Sequence, residues 1–338
     1  MKLLSAVFLS LAFLSSLAAS AEDCSTVDVR DSMTPASKER FSTPYSQGEI
    51  GWCFGYVAAD MLSQATGDSI SALHTSAYYD STLNGIERWG REIFSAKSVV
   101  DDGGEIDGAI SEIQHLGHYC PESSIHSVGL MTIQLPFGSG SYPLSNVGTK
   151  EFLQSLDKYR QGQCDAQCTV LLDSLLTAYV PTTSPQALKD YVLAHKDQPM
   201  DKLLFAMLDN SCNAKKNFPK EYSVVSFSQG STRTKRDEYS RDLSDHIDDA
   251  LDAGSVVGLS YHARYITPMT SAIFADSHAS TIIGRQKINN VCHYLVRNSW
   301  GATCDYRDGV ICVKDQGAYW VTRQIMNVMA DEIFVISK

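Results

Sequence analysis

After its first seventeen residues the chain has no apolar run long enough to cross a bilayer. The best later stretch, Val170 to Val180, is interrupted by Asp173. Basic charge is scarce too: 28 Lys and Arg stand against 39 Asp and Glu, a formal net charge of −11. That balance argues against nucleic acid or an anionic membrane surface as partner. The single basic cluster, Arg233-Thr234-Lys235-Arg236, runs straight into Asp237 and Glu238 and reads as a solvated loop. Internal repeats and low-complexity tracts are absent, which argues against a solenoid.

Against these absences stands an N-terminus with export features. Lys2 precedes an apolar run reaching Leu17, and Ala19-Ser20-Ala21 supplies small residues for cleavage. Residues 1–21 read as a signal peptide, which predicts a secreted or periplasmic protein without a membrane anchor after cleavage. The remaining 317 residues can bury one large domain or two lobes. All nine cysteines lie beyond the leader. An odd number in an exported chain fits one working thiol, Cys53, with Cys24, Cys120, Cys164, Cys168, Cys212, Cys292, Cys304 and Cys312 paired. Local candidates are Cys164 with Cys168 or Cys212, and Cys304 with Cys312; the full map stays open. His115, His118 and Cys120 offer three metal donors without a fourth, so they read as helix-end histidines and a structural cysteine. No metal and no cofactor is expected.

Apolar residues at Phe54, Val57, Ala58, Met61, Leu62 and Ala65 define one helical face, ended by Gly67. A helix therefore opens at Cys53, whose sulfur sits at the positive end of the macrodipole. A second helix is predicted over Ile106 to Leu116. Glu151–Tyr159, Thr169–Tyr179, Gln186–His195 and Met200–Leu208 read as four more, with Ser184-Pro185 a helix start. The last third is strand-like at Ser255–Tyr261, Ala279–Ile283, His293–Arg297 and Val310–Val313. Helices early and strands late predict an α+β protein with two lobes.

Thiol acyl transfer needs a thiolate, an imidazole, a group to orient the ring and donors for the oxyanion. The chain offers Cys53, then His278 in a turn entering a strand, then Asn298 at a strand end, and Gln47 six residues before the cysteine. Gln47 can aim its amide beside the Cys53 backbone N–H, and Trp300 can shield the Asn298–His278 bond from water.

The order and flanks resemble the papain-like cysteine peptidases. The resemblance rests on Gln47-Gly48-Glu49-Ile50-Gly51-Trp52-Cys53-Phe54-Gly55-Tyr56, on Asp276-Ser277-His278-Ala279, and on Leu295-Val296-Arg297-Asn298-Ser299-Trp300-Gly301. Val27-Asp28-Val29-Arg30 resembles the mature start of such domains, Thr43-Pro44 precedes the glutamine as in relatives, and Ala318-Tyr319-Trp320-Val321 resembles the strand after the asparagine motif. The resemblance implies a two-lobed papain-like fold over 22–338, with a helical insertion at about 139–222. It also implies Cys53 as nucleophile, His278 as acid and base, Asn298 as orienting group, Gln47 as oxyanion donor, and Gly103-Gly104 as backbone for a substrate strand. Protein or peptide chains would be the substrates and endopeptidase action the activity.

Departures from the family pattern are specific. The usual Cys-Gly-Ser-Cys-Trp becomes Ile50-Gly51-Trp52-Cys53-Phe54, and Asp101-Asp102 stands where the partner of that first cysteine normally lies. Trp52 reads more like bacterial members. Cys53 and His278 are 225 residues apart, beyond the family's roughly 130–150, and the insertion accounts for the excess. Cys304 replaces the second tryptophan after Asn-Ser-Trp-Gly, which bears on leaving-side contacts. Between Ala21 and Gln47 lie 25 residues, too few for a folded inhibitory prosegment, so control is expected from the insertion, from a separate inhibitor, or not at all. The insertion would either wall the cleft or pack away from it. Other readings are a different thiol acyl hydrolase, such as a cell-wall amidase or transglutaminase-like enzyme, and a catalytically dead binding module.

Overall fold

The structure, a computed structural model, describes residues 24–48, 50–83, 103–127, 132–134, 141–143, 148–228, 233–268, 277–302 and 304–337. The leader over 1–21, Asp101, Asp102 and Asp276 lie outside the described residues.

Helices dominate the first two thirds: α1 Pro35–Ser42, α2 Cys53–Thr66, α3 Ala72–Thr82, α4 Ile106–His115, α5 Thr149–Arg160, α6 Ala166–Tyr179, α7 Pro185–Ala194 and α8 Met200–Ser211. Caps set several starts. Ser184 Oγ accepts from the Ala187 amide, Asp165 from that of Cys168, and Thr34 from that of Ser37, each worth about 1 kcal/mol. Gly67 ends α2 with the left-handed φ of 74° that a side chain would oppose. The four helices predicted over 151–208 are present: α5, α6 and α8 run longer than expected, α6 because the Asp165 cap starts it earlier, and α7 is shifted by one residue by the Ser184 cap.

The remaining elements are β1 Val27–Asp28, β2 His118–Tyr119, β3 Thr132–Gln134, β4 Ser141–Pro143, β5 Lys216–Asn217, β6 Ser223–Ser228, α9 Arg233–Asp252, β7 Val257–Tyr261, β8 His278–Ile288, β9 Val291–Arg297, β10 Ile311–Val313, β11 Ala318–Thr322, α10 Arg323–Met329 and β12 Ala330–Ser337. An antiparallel sheet runs β10-β11-β9-β8-β7-β12-β6, with β1 also on β8. The architecture is α+β, as the sequence predicts. The loop expected at Arg233–Arg236 is corrected to the first turn of α9. Charge hid a helix whose buried face, Leu243, Ile247, Ala250 and Leu251, begins only further along.

Helix α2 is the axis of the molecule. On one side it packs against α3 and α4, on the other against β7 and β8. Gly258 allows the sheet side of this contact, since a Cβ there would lie 2.7 Å from Met61 Sδ and 3.2 Å from Val57 Cγ1. The core at this junction includes Phe54, Val57, Met61, Leu259 and Ile282, all nearly inaccessible to water. Burying each such side chain is worth about 1.5–3 kcal/mol. The helix that opens at Cys53 is thus fixed against the sheet whose β8 starts at His278 and whose β9 ends just before Asn298.

Four disulfides are formed: Cys24–Cys292, Cys120–Cys212, Cys164–Cys168 and Cys304–Cys312. Cys53 is the free thiol. Cys164 takes Cys168 of its two candidates, and Cys304 takes Cys312. Cys120–Cys212 ties the end of α8 to the chain after β2.

Candidate active site

Cys53 is the first residue of α2 and Trp52 is the helix cap. No side chain caps the helix; instead Trp52 is buried, and its indole N–H donates to Asp80 of α3 at 2.8 Å. That bond fixes the turn presenting the thiol. Beside Cys53 lies a cavity of about 240 Å³, lined from the helical side by Gly104 and Glu105 and from the sheet side by His278, Ala279 and Phe334. The two lobes meet there.

His278 opens β8, directly opposite Tyr261 of β7. Its Nε2 faces Asn298 Oδ1 at 2.8 Å, which leaves Nδ1 for chemistry. Asn298 follows β9, and the β8–β9 hairpin turns through Asn289 and Asn290, both in the left-handed region. Asn298 Oδ1 also accepts from the Ser299 amide at 2.8 Å and Ser280 Oγ at 3.3 Å, while its Nδ2 donates to Tyr306 Oη at 3.2 Å. The amide is therefore held in one orientation. Trp300 stacks on the His278 ring, with centroids 4.4 Å apart and planes at 26°. Tyr261 meets the ring edge-on at 5.5 Å. Such pairs add about 0.5–1.5 kcal/mol each beyond area burial.

Burial sets the electrostatics. It pushes the His278 imidazole down to about 4, although the Asn298 bond acts in the opposite sense. It also pushes the Cys53 thiol up, with backbone N–H groups of Ala279, Phe54 and Cys53 itself pulling the other way. The Ala279 contact places the residue after the histidine against the sulfur. Both shifts favour a neutral thiol beside a neutral imidazole.

Gln47 is buried beside the asparagine motif. Its backbone N–H donates to Ser299 O at 2.8 Å, its side-chain carbonyl accepts from Ser299 Oγ, and its Nε2 donates to Ile50 O at 2.6 Å. One amide proton is thereby used, and Gln47 is not among the cavity's lining residues. Gly104 lines the cavity, and a Cβ there would meet Tyr79 at 2.6 Å and Phe54 at 2.8 Å. Gly103 takes φ +78° beside it. The expected residues thus come together around Cys53, His278 and Asn298, with Gln47 one step behind.

Sequence reasoning missed Ser280, Tyr306, Tyr261 and Asp80. Ser280 alone carried a signal, since it lies two residues after His278 on the same strand face. The metal candidate His115, His118 and Cys120 dissolves, because Cys120 is bridged to Cys212. His118 instead joins His74 and Asp209. Asp209 Oδ1 accepts from His118 Nε2 at 2.7 Å and His74 Nε2 at 3.2 Å, and Oδ2 from Lys215 Nζ at 2.6 Å. Burial alone would raise this carboxyl, but the three donors hold it well below the usual range. Asp209 thereby tethers α8 to α3 and β2, while His74 Nδ1 is buried without a hydrogen-bond partner among the described residues.

Among the described residues of the expected insertion, about 139–222, none lines the cavity. The approach to α5 does reach the loop before Cys53: a Cβ on Gly48 would lie 3.4 Å from Gly148 Cα.

No family model and no curated protein matches the chain. Solved structures do. SERA5E from Plasmodium falciparum is 11% identical with a TM-score of 0.43, over 87% of this chain and 88% of that one. PepW from Lactobacillus rhamnosis is 12% identical with a TM-score of 0.43, over 91% and 84%. A digestive procathepsin L2 proteinase from the larval midgut of Tenebrio molitor is 13% identical with a TM-score of 0.42, over 93% and 68%.

Proposed function

We propose that the chain is an exported papain-like thiol endopeptidase that cleaves protein substrates through an acyl-enzyme. The observation that carries this reading is the juxtaposition of a free, half-buried thiol at a helix start with a histidine oriented by a shielded asparagine. His278 Nδ1 takes the proton as the Cys53 sulfur attacks the scissile carbonyl, and the imidazolium returns that proton to the leaving amine. Acyl-enzyme forms, and water activated by the same nitrogen releases the acid. The Cys53 amide at the helix end and the remaining proton on Gln47 Nε2 are the candidate oxyanion donors. Gly104, where no side chain fits, provides backbone for an extended substrate. Four disulfides fit an oxidising compartment, and no described helix is long and apolar enough to cross a membrane.

An epoxide inactivator of thiol peptidases tests the reading. Mass spectrometry is expected to place a single adduct on Cys53 in a preparation that cleaves peptides, with both turnover and adduct lost in Cys53→Ala. A labelled but non-hydrolytic protein would point to the binding module, and turnover surviving Cys53→Ala would end the thiol mechanism.

A further inference from the structure

We infer that Asp60 is a positioning residue: one buried carboxylate on the nucleophile's helix fixes the separately folded segments that carry the other site residues. The inference rests on the thiol-peptidase reading. Asp60 lies seven residues after Cys53 on α2, two helical turns and about 10 Å along the same face. Its Oδ1 accepts from Arg40 Nε at 2.8 Å. Its Oδ2 accepts from Arg297 Nη1 at 2.5 Å and from Thr281 Oγ1 at 3.1 Å.

Those partners are placed pointedly. Arg297 is the residue before Asn298 in β9, and Thr281 is three residues after His278 in β8. The two are cross-strand partners, so a single carboxylate holds α2 against both strands at one level of the sheet. Arg297 Nη2 extends the connection by donating to the carbonyls of Arg40 and Thr43, each at 3.2 Å. Tyr45 then lies under both guanidinium groups, 5.1 Å from Arg40 and 5.3 Å from Arg297, in the stretch that leads to Gln47. Nucleophile, base, orienting amide and oxyanion candidate all connect to this cluster.

The cluster is dry. Asp60, Arg40, Thr281 and Arg297 are each no more than 2% exposed. In such a medium each hydrogen bond is strong and each lost partner leaves an uncompensated group, so the arrangement has one well-defined geometry. A shift of about 1 Å between catalytic groups costs up to roughly 100-fold in rate. Removing one of these bonds is therefore expected to act on the chemical step rather than on substrate affinity.

The test uses the full exported protein with Asp60→Asn, Thr281→Val and Arg297→Lys. Thr281→Val and Arg297→Lys leave the charges in place, so they carry the test where Asp60→Asn fails to fold. On folded protein well below its melting temperature, each is expected to lower kcat by about 10–100-fold with KM within about twofold. Alkylation of Cys53 by iodoacetamide should slow in parallel and change its pH profile. The Thr281→Val and Arg297→Lys losses should be non-additive when combined, since both act on one carboxylate. A lower melting temperature with unchanged kcat and unchanged alkylation would make the cluster merely structural and overturn the inference. A wild-type protein with no Cys53-dependent turnover would instead overturn the peptidase reading, and the alkylation profiles alone would then decide the role of Asp60.

Discussion

At the scale of single residues, the site differs from a resting thiolate–imidazolium pair. Desolvation holds His278 neutral down to about pH 4 and raises the thiol. In the proposed mechanism the unprotonated ring is the base, so kcat/KM is expected to fall as pH drops through about 4 and to stay level through neutrality, as a pH–rate profile on a small peptide would show. An acid limb near 6.5 would mean that the ring is hydrated like a free histidine. Gln47 is the second residue to probe. If its unspent amide proton meets the oxyanion, Gln47→Ala lowers kcat by about 10²–10³ with KM nearly unchanged. A change confined to KM would place Gln47 in substrate recognition. The sequence made these parts legible because their residue types suit acyl transfer and their order and flanks resemble the papain-like peptidases. It did not disclose that Gln47 is already bonded to Ile50 and Ser299, which depends on how two distant loops meet.

At the scale of elements, sequence pattern found α2, α4 and the four helices α5 to α8 but only β7 to β10 of the strands, and part of what it missed has physical reasons. Helix α9 was hidden because its first turns are charged, while β8 runs past Ile283 because its later residues pair with both β9 and β1. The disulfide map was partly legible: the spacing offered Cys304–Cys312 and left Cys164 with Cys168 or Cys212, but nothing in it joins Cys120 to Cys212. The two kinds of bridge should differ in weight. Cys120–Cys212 spans 92 residues and restrains a long loop in the unfolded chain, whereas Cys164–Cys168 spans 4. By loop entropy, losing the first costs up to about 4–5 kcal/mol, and losing the second roughly half that. Serine replacements at both ends of each bridge, followed by urea unfolding, should therefore order as Cys120/Cys212 well ahead of Cys164/Cys168. The same bridge and the His74–Asp209–His118 contacts make 149–222 part of the body, so a cleft lid built from its described residues is not what this packing favours.

At the scale of the whole molecule, buried titrating groups oppose one another across the cleft and the helical lobe. His278 is pushed down by burial, so the unfolded chain binds its proton first, and stability from this group is lost as pH falls from 6.5 towards 4. His74 and His126 are pushed the same way by burial and add to that loss. Glu122 behaves oppositely: burial raises it from 4.5 to about 7, outweighing the Arg40 guanidinium beside it and the bonds from Ser127. A raised carboxyl contributes stability below pH 4.5 that disappears as pH rises to about 7. Between pH 5 and 6.5 the acid therefore cancels part of what the histidines contribute. Glu122→Gln removes the opposing group, so its stability should rise with pH more steeply than that of the wild type. The difference should grow by about 2 kcal/mol over this interval, from the 1.36 kcal/mol carried by each pKa unit. Urea titrations of both proteins at pH 5.0 and 6.5 measure that growth directly, whatever constant offset the substitution introduces. Parallel pH dependences would mean that Glu122 is already ionised at pH 5, held so by Arg40 and Arg297 against the cost of its burial.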